Sequence, residues 1–404
     1  MYAGLAGWFA DRPRRRLPRL LAASVVLTLA SSTACGSVAD SRSIDPSADE
    51  IILLTTSSNE PSAASLTAGL SAALLRAANT NRGRAVLLTA DGTSPTTIDL
   101  TPRRRNGDVE YGSQRPQLIQ QRVAAVSQAI QLVEHASTAT GMDLLQGLAT
   151  AARVATPGSG ITVISSGLST KGALDWRQLG WEADGRAVAQ ELATRQLMPD
   201  LWGRRITFVG LGDTGGLQPR LPAPLRSRVI NVWVAVCQGA GASSCTVDNG
   251  LRPQLPPAST VPEPVVSIPQ VSSVIGPAGQ LQQSIPSDLL GFSLDSAQLG
   301  PDADTLLQPL VQRALAERRP VQVVGHTDPR GTAAHNAELA TQRATAVSDR
   351  LSKLGLPPEL LIPPSGVGAT ADAPDAGYTD GRIDESKCAG LRRVVISLLL
   401  PATL

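Results

Sequence analysis

The sequence predicts two folded domains of different class: a three-layer α/β domain over residues 50–250 and an α+β domain over residues 287–404. Strands rich in Ile, Val and Leu alternate with amphipathic helices in the first region, which is typical of a mainly parallel sheet covered on both faces. Residues 251–286 carry eight prolines and predict an extended, semi-rigid linker without helix or central strand. A strand, a turn and a long amphipathic helix then follow over residues 321–356.

Composition restricts the classes of function that the chain can have. A chain of 404 residues has room for two or three domains of about 100–200 residues. Its 36 Lys and Arg nearly balance its 34 Asp and Glu, so the net charge of +2 gives no reason to expect a nucleic-acid partner. Because no nucleophile, base and acid occur in a recognisable pattern, we expect neither an enzyme nor a cofactor. The four cysteines and three histidines suggest no metal site.

The N-terminus predicts export. A basic segment at residues 12–19 precedes the uncharged apolar segment 20–34, which is too short to span a membrane comfortably. The four residues Ser32 to Cys35 resemble a lipobox, which implies a lipoprotein signal peptide over residues 1–35 and a lipid anchor on Cys35. Residues 36–49 then form a polar tether. The alternatives are an uncleaved anchor, or an ordinary signal peptide with a chance cysteine.

The first domain is predicted element by element from apolar periodicity. Its strands are 51–55, 85–89, 96–100, 161–165 and 206–210, and its helices are 66–74, 117–135, 141–154, 187–197 and 223–237. The last helix is ambiguous because its Val and Ile content favours a strand, whereas apolar residues at every fourth position favour a helix; we predict a helix. Cys237 and Cys245 flank the turn after it, where an oxidising compartment would permit a local disulfide.

This order of elements resembles a von Willebrand factor A-type domain, which is Rossmann-like in its layering. The loops 55–59 and 165–167 correspond to metal-binding loops of that family but lack the carboxylates that a hard cation needs. The resemblance therefore implies a degenerate metal site and a protein partner of unknown identity. The loops at the carboxyl ends of the strands remain the expected place for a ligand. Residues 210–215 match G-x-G-x-x-G, but the prolines that follow favour a plain glycine-rich connection over a dinucleotide loop.

One charged residue interrupts the apolar stripe of the long helix in the second domain. Leu339, Ala344, Val347 and Leu351 recur at helical spacing, and Arg343 projects from the same face. A guanidinium partly removed from water needs an anionic partner. The nearest upstream candidate is Asp328, at the end of the preceding strand.

Spaced motifs over residues 287–399 resemble the C-terminal peptidoglycan-binding domain of the OmpA family, found in OmpA-like, Pal-type and MotB-type proteins. The family pattern G-H-T-D, Asn, L-S-x-x-R-A-x-x-V is matched at Gly325–Asp328, Asn336 and Leu339–Val347, with Ala340 in place of Ser. Residues 292–299 resemble the opening strand of the family and 392–396 its closing strand. The resemblance implies that Asp328 and Arg343 bind the ligand, that Asn336 and Thr327 line the site, and that Arg392 or Arg393 lies nearby.

The chemistry of this pair fits peptidoglycan. The meso-diaminopimelate of a peptidoglycan stem ends in an ammonium and a carboxylate, and a carboxylate opposite a guanidinium is complementary to that zwitterion. The alternative is a salt bridge between Asp328 and Arg343 without a ligand. We therefore expect a cell-envelope lipoprotein that links a membrane to the cell wall. The other hypotheses are an adaptor or sensor whose first domain binds a protein, and an envelope enzyme that the second domain only localises.

Overall fold

The computed structural model describes residues 49–63, 66–92, 95–249, 255–277, 279–369 and 376–400. The predicted signal peptide, Cys35 and residues 36–48 of the predicted tether lie outside these ranges. Within them, the helices are too short or too polar to cross a membrane.

The first sheet has six strands in the order β3-β2-β1-β4-β5-β6. All neighbours are parallel except β3, which pairs antiparallel with β2 at one edge. This is the strand order of a doubly wound sheet, whose carboxyl ends open at the centre. The strands are β1 (Asp49–Leu54), β2 (Arg84–Thr89), β3 (Thr96–Asp99), β4 (Gly160–Ile164), β5 (Arg205–Val209) and β6 (Ser244–Asp248).

Helices cover both faces of this sheet because successive side chains of its buried strands point to opposite sides. Ile52 and Leu54 pack with α1 and α2, whereas Ile51 and Leu53 belong to the core under α3 and α6. The helices are α1 (Ala68–Asn79), α2 (Arg115–Ala136), α3 (Leu144–Val154), α4 (Trp176–Leu179), α5 (Gly185–Thr194) and α6 (Ala223–Gly239). The layered α/β prediction thus matches the observed architecture, while the von Willebrand factor A-type assignment stays a prediction.

The end of the first domain was ambiguous in sequence. Residues 223–239 form α6, as the four-residue spacing predicts, and Cys237 forms a disulfide with Cys245. Cys245 lies in β6, an edge strand. We did not predict this strand because, apart from that cysteine, only one of its five residues, a Val, is apolar. Its pairing with β5 supplies the stability that its own sequence does not.

The second sheet has five strands in the order β10-β9-β13-β8-β7. The central strand β13 runs antiparallel to both β8 and β9, and a separate two-stranded hairpin, β11 and β12, precedes α9. The strands are β7 (Ser272–Ile275), β8 (Leu281–Pro286), β9 (Val321–His326), β10 (Ser365–Gly368), β11 (Tyr378–Thr379), β12 (Arg382–Ile383) and β13 (Arg393–Leu398). The helices are α7 (Asp304–Glu317), α8 (Ala333–Lys353) and α9 (Glu385–Leu391).

Two predictions near the linker are wrong. Residues 272–275 and 281–286, assigned to an extended linker, form the paired strands β7 and β8 of a hairpin, and β8 lies inside the sheet between β7 and β13. Its prolines do not interrupt pairing because Pro286 is the last residue of the strand. Residues 292–299, expected as the opening strand, form a loop instead. Gly291 and Asp295 both have positive φ, at 80° and 54°, which breaks an extended backbone.

The rest of the predicted linker that the structure describes, residues 255–271, packs against both domains. Val266 is buried in the same apolar cluster as Trp233 of the first domain and Leu289 of the second. Trp181 donates from its indole nitrogen to the Ser267 carbonyl at 2.8 Å. The segment therefore holds the two sheets together rather than spacing them apart.

Candidate functional site

Three charged side chains meet at one edge of the second sheet, which is formed by the ends of its strands and not by an outer strand. Because β8 and β9 both run antiparallel to β13, the ends of β8 and β9 lie beside the start of β13. Asp288 follows β8, Asp328 follows β9 and Arg392 precedes β13. All three are at most 4% exposed, so they form a buried charged cluster rather than a solvated surface.

The helix α8 supplies Arg343 to this cluster. Thr332 caps the helix by accepting from the His335 amide, and the apolar face that follows packs on the sheet as the periodicity predicts. Arg343 is only 2% exposed and lies on this face. Its guanidinium donates to the backbone carbonyls of Ser293 and Ser296, each at 2.9 Å, and lies 5.2 Å from the Phe292 ring centre.

Asp328 binds two other guanidiniums. Its Oδ2 accepts from Arg330 Nη2 at 2.5 Å and from Arg392 Nη1 at 3.0 Å. No ion pair joins it to Arg343 in the part of the chain that the structure describes, so the simple salt bridge considered from sequence does not form. Burial alone would raise the pKa of Asp328, but Arg330 and Arg392 outweigh burial and hold that pKa below its usual value.

Arg392 is the centre of the charge network. Besides Asp328, it donates to Glu385 at 2.6 Å, and its Nη2 lies 3.9 Å from Asp288. Burial disfavours its charge, yet the surrounding carboxylates raise the pKa of Arg392 well above its ordinary value. Burial, together with the charges of Glu182 and Glu385, raises the pKa of Asp288 to about 7 although Arg392 opposes this shift, and neither of its carboxylate oxygens has a hydrogen-bond partner among the described residues.

A residue of the first domain completes the site. Glu182, 161 residues before Arg343, lies between α4 and α5 and points its carboxylate into the cluster. It lies 3.2 Å from Arg330 Nη2, 3.4 Å from Arg343 Nη2 and 3.3 Å from Arg392 Nε. Glu182, Arg330, Glu385 and Asp288 were not identified from sequence. Only Arg330 carried a local signal, since it lies two residues after Asp328.

Of the other predicted site residues, three lie in the site and one lies outside it. Asn336 donates to the Asp328 carbonyl at 3.1 Å and so fixes the turn that carries this aspartate. Thr327 is buried there, and its hydroxyl lacks a partner within the described ranges. Arg392 lies in the site, whereas Arg393 donates to the carbonyls of Gly390 and Leu391 outside it.

His326 does not resemble a general base. Burial, and then the charge of Arg393, lower the pKa of His326 to about 4, so the ring is neutral at physiological pH. Its Nδ1 has no partner among the described residues. His326 is the last residue of β9, where its backbone pairs across the sheet with that of Arg393.

The carboxyl edge of the first sheet, our expected ligand position, is covered. Glu60 is 5% exposed and accepts from the Ser166 amide at 2.7 Å and the Ser166 hydroxyl at 2.6 Å. The Pro-rich segment lies over this edge, where Glu263 accepts from Thr170 at 2.7 Å and Asn59 donates to the Pro264 carbonyl at 3.1 Å. Within the described ranges, no group of three or more His, Cys, Asp or Glu side chains is arranged to hold a metal ion.

Comparisons with known proteins identify the second region. Residues 291–384 match the model of the OmpA family, so the C-terminal part of the chain carries an OmpA family domain. No curated protein sequence matches the chain.

Solved structures similar to part of this chain come from several bacteria. The cell wall anchor of the T6SS from Pseudomonas aeruginosa is 24% identical over 32% of this chain and 88% of that chain, with a TM-score of 0.27. A putative MotB-like protein from Desulfovibrio vulgaris is 23% identical over 33% and 80%, with a TM-score of 0.28. The peptidoglycan-associated lipoprotein from Burkholderia pseudomallei is 28% identical over 28% and 88%, with a TM-score of 0.24.

Proposed function

We propose that this protein is a cell-envelope lipoprotein that binds peptidoglycan non-covalently through diaminopimelate and so links a membrane to the cell wall. The observation that carries the proposal is the convergence of Asp328 with three guanidiniums at one sheet edge of an OmpA family domain: those of Arg343 and Arg392, which are buried, and that of Arg330, which is partly exposed. The lipid anchor on Cys35 rests on the lipobox-like sequence. Contact with a membrane and location outside the cytoplasm follow from that anchor.

The site offers a partner for each charge of the zwitterionic end of diaminopimelate. The ligand carboxylate would accept from Arg343 and Arg392, because guanidinium forks bind carboxylates with two hydrogen bonds. The ligand ammonium would donate to Asp328, whose lowered pKa keeps it ionised. Thr327 and Asp288 offer further polar atoms without hydrogen-bond partners among the described residues, and Asn336 holds the turn.

The test is sedimentation of the full chain with insoluble diaminopimelate-type peptidoglycan. We expect wild type to pellet, and Asp328→Ala and Arg343→Ala to weaken binding by about 30-fold or more, since truncating a buried charge partner costs about 2 kcal/mol or more. Arg350→Ala is the matched control, because Arg350 lies two turns further along α8 and pairs with Asp304 outside the site. Equal pelleting of Arg343→Ala and Arg350→Ala would contradict the proposed site.

The first domain supports a second role as a binding platform for a protein. Its carboxyl sheet edge is filled by Glu60 and by the segment that carries Glu263, which leaves little room for a substrate or nucleotide. This coverage favours an adaptor or sensor over an envelope enzyme. Co-purification of a defined partner that is lost when an exposed face of this domain is altered would support that role.

A further inference from the structure

The Glu182 side chain occupies the centre of the candidate peptidoglycan site. Its carboxylate is 8% exposed and lies within 3.4 Å of guanidinium nitrogens from Arg330, Arg343 and Arg392. These are the donors that a ligand carboxylate would use. A ligand carboxylate that bound Arg343 would have to take the place of the Glu182 carboxylate, because two carboxylates cannot occupy one position and like charges brought this close repel strongly in a buried site.

Arg343 depends on this external carboxylate for its neutralisation. In the described part of the chain, Glu182 is its only ion-pair partner, and its own domain offers it only backbone carbonyls and the Phe292 ring. A buried guanidinium without a counter-charge is costly. The second domain therefore has a built position for a carboxylate that it does not itself supply.

The segment that carries Glu182 is well ordered by its own contacts. Trp176 donates to the Gly167 carbonyl and Trp181 to the Ser267 carbonyl, both at 2.8 Å, and the two rings lie 5.0 Å apart. Gly180, with φ of 72°, lies against Glu385, and a Cβ built at that position would come within 2.6 Å of the Glu385 carboxylate. The absence of a side chain at this position allows the segment to reach the site.

We propose that Glu182 acts as an internal stand-in for the ligand carboxylate, so that the first domain regulates access to the peptidoglycan site. This inference rests on the proposed function. Ligand and Glu182 bind the same guanidiniums and exclude each other, so binding requires residues 176–184 to withdraw. A signal or partner that draws the first domain away would raise affinity for the cell wall, by linkage between the two equilibria.

Titration of the full chain with a soluble stem tripeptide ending in meso-diaminopimelate tests this exclusion by calorimetry. Glu182→Ala is expected to bind about 5- to 150-fold more tightly than wild type, the usual range of coupling between sites. Asp200→Ala is the control, since it removes a first-domain carboxylate that is 82% exposed and belongs to the opposite edge of the first sheet. The control should bind as wild type does.

Adding Arg343→Ala to the Glu182→Ala background separates the two hypotheses. If Glu182→Ala binds tightly and the double variant does not, both the site and its occlusion are supported. If wild type and Glu182→Ala bind equally well and Arg343→Ala abolishes binding, the proposed function stands and the occlusion is overturned. If neither binds the tripeptide while both remain folded by circular dichroism, the proposed function fails, and the inference fails with it.

Hydrogen exchange of the unaltered protein gives a second readout. Saturating tripeptide should speed amide exchange in residues 176–184 of wild type, because the ligand displaces this segment. Unchanged or slower exchange there, with the ligand bound, would show that Glu182 is a permanent bridge between the domains and overturn the proposal.

Discussion

At the carboxyl edge of the first sheet, Glu60 accepts from neutral donors such as the amide and hydroxyl of Ser166, whereas Asp328, at the edge of the second sheet, accepts from two guanidiniums. Burial raises the pKa of Glu60 to about 8, so it carries a proton at neutral pH. Burial acts on Asp328 too, but Arg330 and Arg392 hold its pKa below the usual value. Two buried carboxylates at similar places in two sheets thus have opposite charge states.

The difference shows which edge suits a charged ligand. The first edge is closed by its own chain, and its Glu60 is neutral because it holds a proton, so this carboxyl offers no charge to a ligand. The second edge keeps three guanidiniums and relies on a carboxylate from another domain. At the first edge the buried carboxyl of Glu60 is therefore part of the structure, while at the second edge the buried guanidiniums leave a position that a ligand can compete for.

Removing a guanidinium from the second edge should have the largest effect on stability. Arg392→Ala is expected to lower the free energy of unfolding by about 3–5 kcal/mol, because it leaves Asp328, Glu385 and Asp288 buried without their shared counter-charge. Urea unfolding followed by circular dichroism measures this loss.

The adjacent arginine is the matched control for that experiment. Arg393→Ala removes only hydrogen bonds to the carbonyls of Gly390 and Leu391, and should cost about 1 kcal/mol. Similar losses for both variants would mean that the network around Arg392 contributes nothing beyond ordinary surface contacts.

Protonation of Glu60 should make the first edge sensitive to pH. With its pKa raised to about 8 in the folded state, Glu60 holds a proton that the unfolded chain releases above the ordinary glutamate pKa of 4.5. Stability from this group is complete below pH 4.5 and falls as pH rises to about 8, by about 1.4 kcal/mol per pH unit. Glu60→Gln, which mimics the protonated form, should remove this fall.

Urea midpoints of wild type and Glu60→Gln between pH 5 and pH 8 measure the effect, which reaches about 2–3 kcal/mol over the upper two units. Asp288, whose pKa is about 7, changes stability in the same direction and is common to both proteins. Glu338→Gln, an exposed position on α8, is the control and should follow wild type. Parallel pH curves for wild type and Glu60→Gln would show that Glu60 is ionised in the folded protein.

Local patterns predicted those parts of the site that local structure determines. The helical spacing of Leu339, Ala344 and Val347 identified the buried face of α8 and placed Arg343 on it, and Asp328 follows β9 as expected. The hairpin β7–β8 was not predicted, because the prolines of this stretch suggested a linker and the alternation of buried and exposed residues in β8 is weak. Only Leu281, Ile285 and Pro286 of β8 are buried.

Glu182 could not be predicted, for a different physical reason. Its role depends on how two domains pack, and no periodicity or motif links positions 161 residues apart. Sequence indicated that Arg343 needs an anion, which is correct, but Asp328 was the nearest carboxylate along the chain rather than in space. The sequence correctly indicated that the buried charge of Arg343 needs a partner, but it did not identify that partner.

The disulfide should stabilise the first domain without affecting the second. Cys237 and Cys245 are separated by eight positions, so the bond closes a short loop and should contribute about 2.5 kcal/mol through the entropy of the unfolded chain. Reduction with dithiothreitol should lower the urea midpoint of the first domain by a corresponding amount. Tripeptide affinity should not weaken on reduction, because neither cysteine contacts the charged cluster around Arg392. A loss of affinity on reduction would mean that α6 transmits strain to the second edge. The route would be Arg228, which donates to the Ser293 hydroxyl at 2.8 Å. The two edges would then have to be treated as one coupled site.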